Sequence, residues 1–516
     1  MGSGSSAAAE TTAGIPEGPG LARGGIRIER VQANQGVGVD IGREGQAIPP
    51  RDHEAQLLRG RVTLIRALWT VPDDWEPREI EGRLLVRWPD GTEETYRDTK
   101  VVDDDAFEGD LGRTFFWGLM ADQTVPGVEF RVELWETSTD HQDLPASASP
   151  PTLPEEDETM ALVGVQDTYQ VMKVVLVPFD YDDGAGCVTS PDTSRATMQR
   201  FEDLLYMQNP LDAVEFTVHD NILWDTPLTG FHALNVFMAG LRVDERALPE
   251  VYYYGLIDAC AGSVGGFGGQ ALGIPINPVS VEAASQRVSS GLWIDREWSA
   301  ELFVHEVGHS QGRYHVACNG EEAGPDTSYP FEGGQVGEWG FGVVDFQLRH
   351  PTVSKDYMTY CHPTWVGRWG WNLVHPTIAG LSEWDEGFPG GGAPDRDPST
   401  QARGPAHAPE LAQPGMLLGA IEPSGAEHWI TVPGGVPSGH AAGTTAIELR
   451  WEDGVVETVG AVTQVMPDGF GGTLVMAPLP RPGHRIVGVT RLEGDVRHPV
   501  APRSIDAGRK TRWIRR

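Results

Sequence analysis

Residues His305-Glu-Val-Gly-His-Ser-Gln-Gly-Arg-Tyr-His315 bring three imidazoles and one carboxylate into a short stretch of chain. The run from Trp298 to Gln311 has helical spacing, with Leu302, Phe303 and Val307 able to pack inward. On such a helix His305 and His309 stand at i and i+4, so both rings leave one face and can ligate the same metal ion. Gly312 then ends the helix, since glycine readily takes the left-handed conformation at a helix C-terminus. The chain turns there and returns His315 as a third ligand. Three histidines with one position open for water form the ligand set of a catalytic zinc site. Glu306 is adjacent to the first ligand and can reach that water as a general base. With 15 His and 64 Gly in 516 residues, His-Glu-x-x-His arises by chance about 0.03 times and the long form about 0.0001 times. The long form therefore outweighs the ordinary reading of histidines as core or surface residues.

Downstream, Asp356-Tyr-Met-Thr-Tyr-Cys361 sets Met358 and Tyr360 two residues apart. With the 305–315 run it resembles the metzincin pattern of zinc peptidases, in which the histidine motif is followed by a Met-turn. Asp326 to Gly340 and Cys361 to Val366 are similar to segments of secreted bacterial metzincins near the M66 family of mucin-cleaving proteases. The pappalysin-like M43 family is more distant. The likeness covers roughly residues 165–380.

The resemblance implies an α+β catalytic domain with a mixed sheet, an active-site helix and a Met-turn. It implies Met358 as an apolar floor beneath the zinc, where the ordinary reading is a core methionine. It implies Tyr360 as a zinc ligand or as a hydrogen-bond donor to the transition state, against a buried aromatic with a satisfied hydroxyl. The implied substrate is a protein or glycoprotein, with O-glycosylated or mucin-like chains as one expected class. Relatives continue Trp-Ile-Ser-Asp-Tyr after the Met-turn, where this chain has Trp365-Val-Gly-Arg-Trp369. That region shapes the pocket for the residue after the scissile bond, so Trp365 is expected at the cleft with an altered preference. A Cys318–Cys361 bridge would clamp both sides of such a site, leaving Cys187 and Cys260 as the second pair.

Ahead of the helix runs Ala261-Gly-Ser-Val-Gly-Gly-Phe-Gly-Gly-Gln-Ala-Leu-Gly273. Gly265, Gly266, Phe267 and Gly268 are expected at an edge strand over the cleft, where glycines let a substrate backbone approach closely. A flexible glycine-rich loop is the equal alternative. No dinucleotide-binding context surrounds the run.

These groups need elements to hold them. Residues 1–25 are small and polar and read as a disordered tether. Residues 26–140 alternate in short runs, as in Val128-Glu-Phe-Arg-Val-Glu-Leu-Trp135, and suggest an Ig-like β-sandwich. Residues 141–164 read as a linker. Residues 165–386 alternate strands (Val171–Pro178, Val214–Val218, Val251–Ile257) with helices (Thr193–Met207, Phe231–Val243), the mark of a mixed α/β arrangement. Residues 387–415 form a second linker, 416–500 a small β domain, and 501–516 a basic tail.

The formal net charge of −35 argues against nucleic acid, whose phosphates it would repel. No apolar run approaches the roughly 20 residues that span a bilayer. Cys187, Cys260, Cys318 and Cys361 suit two disulfides in an oxidising compartment, with three pairings open. The start lacks the regions of a signal peptide. The expected location is nonetheless extracellular: secreted, or tethered as a cell-surface lipoprotein. Asp180, Asp182 and Asp183, and the run Asp103–Asp105, would suit Ca2+, yet neither has EF-hand spacing and solvated turns are favoured. The chain is expected to act as a monomer, with its β domains free to contact glycan. The competing function is a surface adhesin or glycan-binding protein with a vestigial protease domain.

Overall fold

A computed structural model describes residues 19–147, 149–156, 159–320, 322–384, 415–437, 444–466 and 472–501. Most of the tether 1–25, the linker 387–415 and the tail 501–516 lie outside the described residues. The chain divides into two compact units. One is built from the chain up to residue 166, except for 35–38 and 58–61, which belong to the other.

The first unit holds two antiparallel sheets. One runs through Arg27–Asn34, Thr63–Thr70 and Phe115–Leu119. The other is centred on Arg78–Arg87, flanked by Glu93–Val102 and Glu129–Glu136. Alternate residues of Arg78–Arg87 are buried, which is the period of a strand with one face on a core. Phe115 fills the space over Gly82, where a methyl would lie 2.6 Å from its ring. Within 141–164, Thr152–Leu153 and Ala161–Leu162 both pair with Glu129–Glu136.

The second unit holds the histidine motif. Its largest sheet has seven strands, with Val171–Asp182 and Tyr252–Ile257 at its centre. Val171–Asp182 pairs in parallel with Ala213–Val218, Ile222–Trp224 and Tyr252–Ile257. Tyr252–Ile257 pairs in parallel with Val288–Leu292, and Gly269–Ala271 closes that edge antiparallel. Among the described residues the α-helices are α1 (Arg195–Gln208), α2 (His232–Asp244), α3 (Arg296–Ser310) and α4 (Arg368–Ser382). Successive residues of Tyr252–Ile257 face opposite helices. Tyr254 packs on Phe303 of α3, 4.9 Å between rings, while Gly255 lies against Leu234 of α2.

The strands Gly415–Ile421 and Glu427–Pro433 then cover α2. Met416, Leu418, Ile430 and Val432 share one core with Leu234, Phe237 and Met238. The alternate residues Leu417 and Trp429 face a second core with Ile447, Leu449 and Trp451.

The expected fold class, an α+β metzincin domain flanked by β domains, does not describe this protein. The structure is mostly β, 37% strand against 16% helix, in several separate small sheets. The helix bearing the motif has 15 residues, no longer than α4. The physical reason is compositional: the alternating runs on both sides of the motif order as antiparallel strands, and the central segment adds four α-helices among the described residues.

No helix among the described residues is long and apolar enough to cross a membrane. All four cysteines are paired, Cys187 with Cys260 and Cys318 with Cys361.

Candidate metal centre

Helix α3 starts at Asp295, whose side chain caps it by accepting from the Trp298 N–H at 2.9 Å. Phe303, Val304 and Val307 are buried and anchor the helix on the sheet and on α1. The helix ends at Gln311, and Gly312 follows with φ +92°. Arg313 N–H then donates back to the Gly308 carbonyl at 3.0 Å, closing a tight C-terminal turn. This turn brings His315 beside the two helical histidines.

One ring nitrogen from each of His305, His309 and His315 lies within 4.8 Å of the others, and all three residues are buried. His309 Nε2 and His315 Nε2 are 3.2 Å apart. Two nitrogens bound to one tetrahedral zinc at about 2.0–2.1 Å stand about 3.4 Å apart, so the spacing fits. The other ring nitrogens are held from behind. His305 Nδ1 faces the Tyr357 carbonyl at 2.8 Å, His309 Nδ1 the Arg313 carbonyl at 2.7 Å, and His315 Nδ1 the Ala323 carbonyl at 2.8 Å. A backbone carbonyl at each Nδ1 requires an N–H there and leaves Nε2 as a lone-pair donor. The donor set and its outer hydrogen bonds therefore fit a divalent metal.

Met358 is fully buried against α3. A methyl at Gly308 would lie 2.5 Å from its sulfur and 2.9 Å from the Tyr357 ring. Met358 thus packs on the helix between His305 and His309. Gly308→Ala is expected to lower stability by about 1–3 kcal/mol through this overlap. Denaturant titration checks it, and an unchanged midpoint would mean the Met358 contact is slack.

Tyr360 stands at the rim of the histidine cluster, its ring centre 5.0 Å from that of His315 and 5.9 Å from that of His305. Its backbone N–H donates to Glu322 Oε1 at 3.3 Å. The Cys318–Cys361 bridge ties the chain just beyond His315 to the residue after Tyr360. With both sulfurs in that bridge, neither is available as a thiolate ligand.

A cleft of about 400 Å³ opens over the cluster, lined by Gly266, Phe267 and Gly268 on one side and by His305, Glu306, Thr359 and Tyr360 on another. Glu306 is 2% exposed. Gly265 and Gly266 both have positive φ, at 64° and 98°, between the paired residues Val264 and Phe267. That is a two-residue hairpin turn of the kind glycines favour, with Gly265 outside the lining residues of the cleft. The next glycines make room for protein groups. A methyl at Gly268 would meet the Trp298 ring at 2.2 Å, and one at Gly269 would meet Glu306 Oε1 at 2.8 Å.

Trp365 corrects its expectation. It is 1% exposed, is not among the cleft residues, and donates its indole N–H to the Gly36 carbonyl at 2.9 Å. It is a strut, because its ring is drawn under the chain at Gly340 rather than toward solvent.

Several cleft groups carried no spacing signal in the sequence: Trp298, Glu301, His362 and Thr364. His362 Nδ1 and Glu301 Oε2 are 2.8 Å apart, and that hydrogen bond holds the imidazole pKa above its ordinary value although burial opposes it. The pair Arg313–Asp356 was equally silent. It joins the loop after α3 to the Met358 turn, with Arg313 Nη2 to Asp356 Oδ1 at 2.9 Å and both side chains buried. Asp356 Oδ1 also accepts from the Met358 N–H at 2.9 Å. Only the Asp-x-Met spacing could have hinted at that turn.

Several of the aspartates considered for Ca2+ are engaged by protein donors. Asp183 Oδ1 accepts from the N–H groups of Ala185, Gly186 and Cys187. Asp105 Oδ1 accepts from the Val71 N–H. Neither run is among the metal-competent groupings of the described residues.

No protein-family model matches the chain, and no curated protein matches it in a sequence search.

Proposed function

We propose that this protein is a zinc-dependent endopeptidase acting outside the cell. The observation that carries the reading is the buried trio His305, His309 and His315, each oriented by a backbone carbonyl, with Glu306 in the wall of the adjoining cleft.

His305, His309 and His315 would hold the metal through Nε2. Zinc bound there supplies Lewis acidity, polarising a carbonyl and making water more acidic. The Glu306 carboxylate takes a proton from the attacking water and returns it to the leaving amine. The Tyr360 hydroxyl, at the rim beside His315, donates toward the oxyanion as charge develops. The hairpin wall at Gly266–Gly268, with Gly269 beside it in the cleft lining, offers main-chain partners to an extended polypeptide. Two disulfides suit an oxidising compartment, which favours a secreted or surface-tethered protein.

The deciding experiment is digestion of an unstructured protein, and of glycosylated and deglycosylated mucin, with and without a chelator. Cleavage abolished by the chelator and restored by zinc is expected. Absence of cleavage of every substrate by zinc-loaded protein would overturn the reading. Digestion of the mucin only in its glycosylated form would assign the glycoprotein class.

Metal binding is also expected to stabilise the fold, since the trio is assembled only in the folded chain. Zinc at a hundred times its dissociation constant should add about 2.7 kcal/mol. A thermal melt with and without zinc tests this, with His309→Ala as the variant that loses the response.

A further inference from the structure

Helix α3 turns more than His305 and Glu306 toward the cleft. Trp298, Glu301 and Leu302 precede His305 at the spacing of one helix face, and all three line the cleft with it. The peptidase mechanism uses none of the three. Glu301 is held by a residue of another segment: its Oε2 lies 2.8 Å from Nδ1 of His362, two residues past Tyr360 and also in the cleft lining. Facing a carboxylate, Nδ1 carries its proton whether the ring is neutral or charged, so the imidazole orients Glu301 in either state. The second carboxylate oxygen, Oε1, has no hydrogen-bond or ion-pair partner among the described residues, and the side chain is 27% exposed.

The charges around this oxygen are one-sided. The carboxylates among the described cleft residues are Glu301 and Glu306, and no lysine or arginine lines the cleft. Glu306 is 2% exposed and serves the attacking water. Glu301 is therefore the carboxylate that a substrate side chain can meet. Trp298 and Leu302 beside it supply apolar surface for a methylene stem, and the indole face attracts a cation. An ammonium or guanidinium group carries donors only, the complement of an unpartnered carboxylate oxygen. A substrate carboxylate in the same place would meet like charge.

We infer that Glu301, oriented by His362, is a specificity residue that selects a cationic substrate side chain, lysine or arginine, in the cleft beside the metal centre. The inference rests on the peptidase reading and names the polypeptides that the site accepts, those presenting a basic residue near the scissile bond.

The test takes a peptide that the zinc protein cleaves and varies each position near the scissile bond among Lys, Arg, norleucine and Glu. At one position a basic residue should raise kcat/KM on the order of tenfold over norleucine, with Glu disfavoured further. Glu301→Gln should bring the ratio of basic to acidic substrate near one, and Glu301→Lys should reverse it. Both substrates are read on one preparation, so a partly folded variant leaves the ratio intact. No basic preference in the parent, or a preference kept in Glu301→Gln, would overturn the inference. Fluorescence anisotropy of labelled basic and acidic peptides on metal-free protein gives a readout without turnover. The net charge of −35 attracts any cationic peptide, but Glu301→Gln changes it by a single charge, so a lost preference in that variant reports the local site. An unchanged preference there would count against the inference equally. Should the zinc protein cleave no peptide, the peptidase reading falls, and the anisotropy comparison still decides whether Glu301 selects cations in this cleft.

Discussion

Glu306→Gln is expected to bind zinc as the parent does and to hydrolyse peptides about 10²–10⁴-fold more slowly. The substitution keeps the shape of the side chain, so its seat over Gly269 is undisturbed. The ligands do not depend on it, because His305, His309 and His315 are oriented by the carbonyls of Tyr357, Arg313 and Ala323. What the amide loses is the ability to accept a proton. A zinc titration and a kcat/KM measurement on the same preparation separate the two properties. Undiminished turnover in Glu306→Gln would remove this residue from the mechanism, whereas lost zinc affinity would make it a ligand.

The second large effect is expected at Asp356. Arg313 and Asp356 are 1% and 0% exposed at their side chains. Burial works against the Arg313 charge, yet Asp356 and Tyr357 together more than offset it, and the guanidinium pKa stands above its ordinary value. Asp356→Ala would strand that cation in the interior and release the Met358 N–H. Breaking a buried pair in this way typically removes about 3–5 kcal/mol of stability. It should also weaken zinc binding by about 10–100-fold, because the Arg313 carbonyl orients His309. Chemical denaturation and a competitive chelator assay measure the two losses. Replacing both partners, as in Arg313→Met with Asp356→Leu, should recover much of the stability by removing the uncompensated charge. A neutral Asp356→Ala would mean that the guanidinium finds water when its partner is gone.

The histidine constellation was legible because its logic is local. Residues four apart share a helix face, and a glycine ends the helix, so the spacing of His305, His309, Gly312 and His315 already implies convergence. The helices near residues 195–208, 232–244 and 296–310 were visible for the same reason. Strand alternation in Arg78–Arg87 and Glu129–Glu136 is likewise a two-residue period. Convergence of the trio therefore required little more than the chain's own geometry.

Other features depend on which distant segments meet, and no local period records that. The balance of strand over helix emerged only when the flanking runs ordered as separate sheets, which overturned the α+β class. The cysteine pairing allowed three solutions until the fold brought residues 43 and 73 positions apart into contact. Trp365 sits one residue past a cleft group, Thr364, yet strand alternation turns its indole inward to Gly36. Arg313 and Asp356 look like ordinary surface charges in sequence, and only burial makes them a strut. In the sequence Gly269 looked like part of a flexible stretch, and Gly291 carried no signal. Their meaning lies in a register that sets one opposite the other beneath α3. Sequence alone determined the convergence of the three histidines and the helix that presents two of them, since both follow from residue spacing. Tertiary structure alone decided what holds those histidines still, since that comes from carbonyls, charges and glycines supplied by other parts of the chain.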